Sequence, residues 1–354
     1  MTSIPTQDYS IHFNTTGYSK LNELIKNNDY SSIFILVDSN TNANCLTPVL
    51  QHIETDIRIE ILEIESGEKH KNLDTCASLW SALSELGADR KSLMINLGGG
   101  VVTDLGGFVA CCYQRGIDFI NIPTTLLSMV DASIGGKNGV DLGLLKNQIG
   151  VIKTPKMVIV DTSFLNTLSS REMRSGLAEM IKHGLIANPN HYNDLKDLSK
   201  LTLEDLDTLI YDSILVKKHI VEQDPTEQNL RKTLNFGHTL GHAIESFYLN
   251  KKDQALLHGE AIAIGMILES YLSSKLLNFD TDNLNKIKSQ LINTFGHPKI
   301  NPENYDSIID LMKHDKKNQN GIIKFVLLKD IGNCAINKEA SKELIIKSFE
   351  FYNN

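Results

Sequence analysis

Five short runs rich in isoleucine and valine recur along the first half of the chain, and they constrain its fold more than any other feature. They cover residues 32–38, 57–64, 92–97, 118–122 and 156–161. Between them, apolar residues follow helical spacing at 73–87 and 104–116, and both segments end at a glycine. Strands that alternate with helices indicate βαβ units. The pattern therefore predicts an α/β fold whose N-terminal part is a doubly wound, largely parallel, Rossmann-like sheet.

The pattern changes near residue 169, where helical periodicity becomes dominant. Helices are predicted at 171–187, 203–224, 231–248, 257–277 and 338–352, with one strand-like run at 322–328. A chain of 354 residues is long for a single domain. We therefore expect two domains, an α/β domain over residues 1–168 and a mostly α-helical domain over residues 169–354.

Composition narrows the possible partners and the compartment. With 35 basic and 43 acidic residues the net charge is −8, which argues against a general nucleic-acid binder. The five cysteines form no CxxC pair, a usage typical of a reduced, cytoplasmic protein. The first ten residues lack the features of a signal peptide, and the longest strongly apolar stretch, 261–268, is too short to cross a bilayer. We expect a cytoplasmic protein that binds neither nucleic acid nor membrane.

Two glycine-rich segments are candidates for anion binding. Three glycines at 98–100 follow an apolar strand and precede a helix, where backbone N–H groups can bind a phosphate, although the spacing is not GxGxxG and a plain tight turn fits equally well. Asp38 ends a strand, where it could bind ribose hydroxyls or simply cap a helix. The second segment, 133–150, carries Lys137 and Lys146 after a strongly apolar stretch. Lysines near buried surface favour an anionic partner.

The segment HTLGH places His238 and His242 four residues apart, on one face of a helix. It differs from the metalloprotease motif because Thr239 stands where that motif has a glutamate base. Such a pair is often only structural, since a catalytic zinc site needs three protein ligands. Glu179 and His258, both polar among apolar neighbours, are candidates for further ligands.

Cationic residues accompany the metal candidates in the second half of the chain. They are Lys182, Lys217, Arg231 and Lys324, and Lys182 shares a helical face with Glu179. A metal surrounded by lysines and an arginine in an acidic protein indicates a polyanionic substrate, such as one with a phosphate and a carboxylate.

Six segments together resemble the 3-dehydroquinate synthase family of the shikimate pathway. They are residues 98–116, 122–141, 146–150, 176–184, 234–245 and 257–266, and they follow the order of that family. The resemblance extends from about residue 32 to about residue 330, and it is specific because the segments occur as an ordered set. Gln148 and Thr154 depart from the family pattern, as does the lack of an acidic residue after Gly184–Ile186.

The resemblance implies the cofactors and the residues that hold them. It implies that zinc (or cobalt) is bound by Glu179, His238 and His258, so that only the first histidine of HTLGH is a ligand. It implies that NAD is bound by the N-terminal domain through Asp38, Glu68, Lys71, Gly99, Gly100, Val101, Val102, Thr103, Asp104, Thr124, Thr125, Lys137, Lys146, Phe164, Leu165, Asn166 and Thr167. It assigns to the substrate pocket Asp131, Lys137, Lys146, Asn147, Lys182, Lys217, Arg231, Asn235, His242 and Lys324, with Arg115 from a neighbouring subunit of a homodimer.

The activity that the resemblance implies is the conversion of 3-deoxy-D-arabino-heptulosonate 7-phosphate to 3-dehydroquinate and phosphate. In that reaction a transient NAD-dependent oxidation permits phosphate elimination, and re-reduction and an intramolecular aldol step then close the ring. The enzyme would therefore be a carbon–oxygen lyase. Two alternatives remain, another sugar phosphate cyclase and a metal-dependent NAD polyol dehydrogenase. The substrate of the dehydrogenase would lack the two anionic ends that the cationic residues favour.

Overall fold

The five predicted strands occupy neighbouring positions in one sheet of the computed structural model, which describes residues 1–143, 145–196, 203–249, 251, 254–312 and 323–354. The chain divides into a first unit, Met1–Met173, and a second unit, Arg174–Asn354. The sequence analysis placed the domain boundary after residue 168, slightly earlier in the chain. The α/β class with a mostly parallel sheet is confirmed.

The strands and helices of the first unit alternate along the chain. The strands are β1 Ile4–Pro5, β2 Ser10–Phe13, β3 Ile33–Asp38, β4 Ile59–Ile64, β5 Leu93–Gly98, β6 Asp118–Pro123, β7 Lys137–Leu142, β8 Leu145–Ile152 and β9 Met157–Val160. The helices are α1 Asn14–Asn27, α2 Ser39–Asn44, α3 Leu46–His52, α4 Leu73–Glu85 and α5 Gly100–Cys112. The helix expected at 104–116 thus begins earlier, at the last of the three glycines, and ends earlier.

The order of strands in the main sheet is β1-β2-β9-β6-β5-β3-β4, and every pair except β1–β2 is parallel. From β3 the chain passes to β4 on one side and then returns to β5 on the other side. The strand order therefore reverses between β3 and β5. In open α/β sheets, ligands bind outside the carboxyl ends of the strands at such a reversal.

Burial in the core explains why the apolar runs of β3 and β5 form interior strands of the sheet. Strands β3 and β5 are buried along almost their whole length, as expected for parallel strands covered on both faces. Phe34, Leu36 and Met94 belong to one apolar cluster with Leu105 and Val109 of α5. This packing fixes the start of α5 against the end of β5.

The second glycine-rich segment forms most of a β-hairpin. Strands β7 and β8 pair antiparallel in a separate two-stranded sheet. Asn138 of β7 lies so close to α5 that a Cβ on Gly107 would be 2.0 Å from its Oδ1. Glycines and polar residues interrupt the apolar pattern of these strands, so neither strand was predicted.

The second unit is mostly helical, as predicted. Its helices are α6 Ser170–Ala187, α7 Pro189–Asp194, α8 Leu203–Gln223, α9 His238–Leu249, α10 His258–Leu276, α11 Thr281–Phe295, α12 Tyr305–Met312 and α13 Lys342–Asn353, and β10 Phe325–Asp330 pairs with β11 Asn333–Lys338. The helix expected over 231–248 is instead a 3₁₀ turn, Leu230–Asn235, followed by α9. The sequence analysis did not predict helices α7, α11 and α12 or strand β11. Residue 322 of the predicted strand lies outside the described residues.

Candidate active site

Three elements of the second unit bring the predicted metal ligands together. Glu179 lies in the middle of α6, while His238 and His258 are the first residues of α9 and α10. Helices α6 and α10 touch at Gly259, whose N–H donates to Ser175 Oγ over 2.9 Å. A Cβ at Gly259 would lie 2.1 Å from the carbonyl oxygen of Ser175. A glycine is therefore required for this close approach, which places His258 beside Glu179.

The ligand atoms converge at the spacing that a tetrahedral metal ion requires. The Nε2 atoms of His238 and His258 lie 3.4 Å and 3.5 Å from Glu179 Oε1. Bonds of about 2.1 Å to a tetrahedral zinc ion give ligand–ligand distances of about 3.4 Å. Both carboxylate oxygens of Glu179 are buried without a hydrogen-bond partner among the described residues, although the Lys182 ammonium contacts Oε2. Because buried carboxylates rarely lack hydrogen bonds, this arrangement fits a bound cation.

Each histidine is held by an outer partner that leaves Nε2 directed at Glu179. His238 donates from Nδ1 to the carbonyl oxygen of Phe236 over 3.0 Å. His258 donates from Nδ1 to Glu245 Oε2, also over 3.0 Å. Such partners fix the tautomer and orientation of metal-binding imidazoles. The sequence analysis gave Glu245 no role, although it closes the motif LNFGHTLGHAIE.

The charges around the ligands favour an anionic Glu179, a neutral His238 and a protonated His258. Burial opposes ionisation of Glu179, but Lys182 and His238 hold the pKa of this carboxyl well below its usual value. Burial and the Lys182 charge lower the pKa of His238 to about 4. Burial acts the same way on His258, yet Glu245 and Glu179 outweigh it and raise its pKa to about 10. A metal ion would therefore displace a proton from His258.

His242 lies next to the same cluster. Its ring centroid is 5.0 Å from that of His238 and 5.7 Å from that of His258. One nitrogen from each of the three histidines lies within 4.8 Å of the others, so the histidines by themselves form a second possible ligand set. The geometry therefore brings Glu179 and all three histidines together.

The cationic residues predicted for the substrate are largely buried in the second unit. Lys182, Lys217 and Arg231 are at most 6% exposed. Arg231 donates from Nη1 to the carbonyl oxygen of Pro225 over 2.7 Å, and its backbone N–H donates to Asp224 Oδ2. Lys182 contacts Glu179, and three buried cations in one unit can together bind the anionic groups of a ligand.

Asn235 and Lys324 lie near these groups on neighbouring elements. Asn235 donates from Nδ2 to Glu227 Oε1 over 2.6 Å. Lys324 is half-buried, contacts Glu339, and accepts at its carbonyl oxygen from Thr239 Oγ1 of α9 over 3.2 Å. Lys324 is thereby tied to the first turn of the helix that carries His238.

In the first unit, the glycine turn has the geometry expected for a phosphate site. Strand β5 ends at Gly98 and α5 begins at Gly100, and Gly99 caps α5 without a side-chain hydrogen bond. A Cβ at Gly98 would lie 2.6 Å from Val102, and one at Gly99 would lie 2.9 Å from Thr125. Side chains are therefore excluded, and the first N–H groups of α5 point out of the turn toward any bound anion.

Asp38 lies at the carboxyl end of β3, across the strand reversal from the glycine turn. Its Oδ1 accepts from the backbone N–H of Thr41 over 2.8 Å, so it caps α2. The helix-cap alternative is therefore confirmed. Its Oδ2 has no hydrogen-bond partner among the described residues, and capping and ribose binding are compatible.

A network of charged side chains joins several residues predicted for NAD and substrate. Lys71 Nζ lies 2.5 Å from Asp104 Oδ2 and 2.8 Å from Asn147 Oδ1. Lys146 contacts Glu68. Although burial alone would lower the pKa of Lys71, the Asp104 carboxylate raises it, so Lys71 stays charged.

Lys146 also lies 3.0 Å from Asp141, a residue that the sequence analysis missed. The available signal was a single acid at the end of GGKNGVD, four residues after Lys137.

The remaining predicted residues of the first unit lie in varied surroundings. Lys137 is exposed, contrary to the expectation of a lysine near buried surface, because β7 begins at the edge of the hairpin. Thr124, Val102, Thr103, Phe164 and Leu165 are buried, Gly100, Val101, Thr125 and Asp131 are half-buried, and Asn166 and Thr167 are exposed. Arg115 is exposed with φ of 72°, in the left-handed region that few residues other than glycine adopt.

None of the helices in the described ranges is long and apolar enough to cross a membrane.

Comparison with known families identifies the family of this chain. Residues 61–175 match the family model for the N-terminal part of 3-dehydroquinate synthase, and residues 176–318 match the model for its C-terminal part. The chain belongs to the 3-dehydroquinate synthase family. The resemblance noted in the sequence is thereby confirmed.

Relatives in the 3-dehydroquinate synthase family align over almost the whole chain. The 3-dehydroquinate synthase of Parabacteroides distasonis is 43% identical over 336 residues, covering 94% of this chain and 95% of that protein. The 3-dehydroquinate synthase of Dictyoglomus thermophilum is 41% identical over 341 residues, covering 94% and 93%.

Solved structures of sugar phosphate cyclases share the fold of this 3-dehydroquinate synthase family member. A 2-deoxy-scyllo-inosose synthase complexed with carbaglucose-6-phosphate, NAD⁺ and Co²⁺ superposes with a TM-score of 0.86, at 25% identity and 98% coverage of each chain. Glycerol dehydrogenase from Schizosaccharomyces pombe superposes with a TM-score of 0.65 at 14% identity, covering 100% of this chain and 90% of that one, which shows the fold alone. Cyclases and polyol dehydrogenases therefore share one architecture.

Proposed function

We propose that this chain converts 3-deoxy-D-arabino-heptulosonate 7-phosphate to 3-dehydroquinate and phosphate, as an NAD- and metal-dependent carbon–oxygen lyase. The observation that distinguishes the functions compatible with this fold is the burial of the cations Lys182, Lys217 and Arg231. A polyol dehydrogenase acts on neutral substrates and has no use for three buried cations in its metal-binding unit. A substrate with a carboxylate and a phosphate does.

Glu179, His238 and His258 are proposed to hold the metal, and the first turn of α5 is proposed to hold NAD. When bound, the metal would ease deprotonation of a substrate hydroxyl, and NAD would take up a hydride and return it. The N–H groups that follow Gly99 suit the NAD diphosphate, and the Oδ2 atom of Asp38 suits a ribose hydroxyl. The glycine turn leaves room for these groups because no side chain projects there.

The residues of the second unit are proposed to bind and orient the two anionic ends. The planar guanidinium of Arg231 offers paired donors, which match a carboxylate better than a lysine does. Lys182 and Lys217 would stabilise negative charge as phosphate leaves. His242, beside the metal ligands, is suited to move a proton to or from the substrate.

Arg115 is proposed to serve the site of a neighbouring subunit in a homodimer. Its exposure and its left-handed backbone support this role, since strained backbone at an exposed, charged position often marks a functional contact. The cytoplasmic location expected from the cysteine usage stays a prediction.

The proposed reaction differs from a dehydrogenation in its cofactor balance. Incubation with the seven-carbon phosphate, zinc and NAD should release inorganic phosphate over many turnovers with no net gain in NADH absorbance. Release should continue with NAD far below the substrate concentration, because the hydride is returned within each turnover. Stoichiometric NADH would favour the polyol dehydrogenase, and no phosphate release from this substrate would favour another cyclase.

Replacing Arg231 by lysine should lower kcat/KM by about tenfold or more, because one charge remains but the paired donors are lost. The measurement is steady-state phosphate release over a range of sugar phosphate concentrations. Arg58→Lys is the matched control, since Arg58 is an exposed residue that pairs with Glu60 over 2.7 Å. A loss below about threefold, roughly 0.65 kcal/mol, would show that Arg231 does not anchor the carboxylate.

A further inference from the structure

Asp141 contacts three residues predicted for the cofactor and substrate sites. Its backbone N–H donates to the carbonyl oxygen of Lys71 over 2.9 Å. Its Oδ1 accepts from the backbone N–H of Asn147 over 2.7 Å, and its Oδ2 accepts from Nζ of Lys146 over 3.0 Å. The Asp141 side chain is only 10% exposed. The two bonds to the carboxylate involve a charged group and are strong in such a setting, so the Asp141 side chain restrains Asn147 and Lys146, while its backbone holds Lys71.

The bond from Asp141 to Asn147 holds a backbone conformation that is otherwise unfavourable. Asn147 has φ of 50°, in the left-handed region, within strand β8. This conformation turns the Asn147 side chain so that its Oδ1 accepts from Lys71 Nζ. Asp141 therefore contacts both members of the hydrogen bond between Lys71 and Asn147.

The bond from Asp141 to Lys146 holds a nearly buried ammonium group in one place. The Lys146 side chain is 8% exposed, and it lies between Asp141 and Glu68. Loss of the Asp141 carboxylate would remove one of the acidic groups that fix Lys146, while the contact with Glu68 remains. A lysine has four rotatable side-chain bonds, so a second fixed acceptor is what limits where its charge lies.

We propose that Asp141 is a positioning residue, which holds Lys71, Lys146 and Asn147 in the arrangement that binds NAD and the sugar phosphate. Asp141 acts through these three residues. The inference rests on the proposed function, because that function gives Lys71, Lys146 and Asn147 their ligands. The competing explanation is that Asp141 merely stabilises the hairpin of β7 and β8.

The first test measures NAD binding to the zinc-loaded, full-length protein by titration calorimetry. Asp141→Ala should weaken NAD binding by about tenfold, the effect of losing a hydrogen bond to a charged group. Asp141→Asn should lie between the wild type and the alanine variant, because it keeps an acceptor for the Asn147 N–H but loses the charge opposite Lys146. Asp118→Asn is the matched control, since Asp118 pairs with Lys156 over 3.3 Å elsewhere in the first unit.

The second test is a double-mutant cycle with Lys146→Met. If Asp141 acts through Lys146, then Asp141→Asn should change NAD binding and kcat much less in the Lys146→Met background than in the wild type. If Asp141 only stabilises the hairpin, the two substitutions should have additive effects on kcat. In that case Asp141→Asn should also lower the unfolding midpoint without changing the NAD affinity. Either of those results, or an Asp141→Ala variant within about threefold of the wild type in both NAD binding and turnover, would overturn the inference.

The wild-type protein separates this inference from the proposed function. Wild-type protein that neither binds NAD nor releases phosphate from the seven-carbon substrate would overturn both. Wild-type protein that does both, with Asp141→Ala indistinguishable from it, would overturn only the role of Asp141.

Discussion

His258→Ala is expected to remove most of the bound zinc and nearly all phosphate release. Its Nε2 is one of the atoms that converge near Glu179 Oε1, at 3.5 Å, and a three-ligand site cannot lose a ligand and keep its metal. Zinc affinity should fall by more than about 100-fold, beyond the loss typical of outer-shell changes. The measurements are the zinc content after dialysis and competition with a chelator, and neither depends on activity.

His242→Ala is the matched control for the metal assignment. His242 is also a histidine of α9, and its ring lies 5.0 Å from that of His238. We expect this variant to keep its zinc and to lose turnover, because His242 is proposed to transfer protons rather than bind the metal. The opposite pattern, with zinc lost from His242→Ala and kept in His258→Ala, would make the assignment within HTLGH wrong.

Gly265→Ala is expected to destabilise the second unit and to release its metal. A Cβ at 265 would lie 1.9 Å from the carbonyl oxygen of Gly237 and 2.8 Å from the backbone nitrogen of Gly241. Alanine gains about 1 kcal/mol in helix propensity, but a clash with rigid backbone outweighs that gain. We expect a net loss of about 2–4 kcal/mol in the free energy of unfolding. The separation of α9 from α10 would also displace His238 from His258.

Thermal unfolding of the zinc-loaded protein, followed by circular dichroism, measures this effect. The midpoint should fall by roughly 5–15 °C. Leu276→Ala, at the exposed end of the same helix, should change the free energy of unfolding by no more than about 0.5 kcal/mol. A Gly265→Ala midpoint within about 2 °C of the wild type would show that the two helices separate without penalty.

Local patterns were sufficient to predict most of the elements that carry the site. The strands were predictable because buried parallel strands are short and continuously apolar, as in β3 and β5. The turn at Gly98–Gly100 was predictable because only glycine permits so close an approach of chain segments. Strands β7 and β8 were not predicted because their apolar pattern is weak. The role of Asp141, which lies in β7, was therefore missed.

Three of the tertiary contacts could not have been found from spacing. Glu179 meets His238 and His258 because Gly259 lets α10 approach α6, and nothing near Glu179 in the sequence indicates that contact. Glu245 orients His258 only because two helices bring them together.

The sequence by itself determined the α/β and helical halves, the glycine turn and the residue types suited to a metal and a polyanion. Only the tertiary structure decided which acidic residues orient the site residues. Glu245 lies beside His258, and Asp141 lies beside Lys146 and Asn147. The physical reason is the distance along the chain over which each kind of interaction acts. Periodicity and turn preference act between neighbours along the chain, whereas the partner of a buried charge is chosen by the packing of segments that are distant in the sequence.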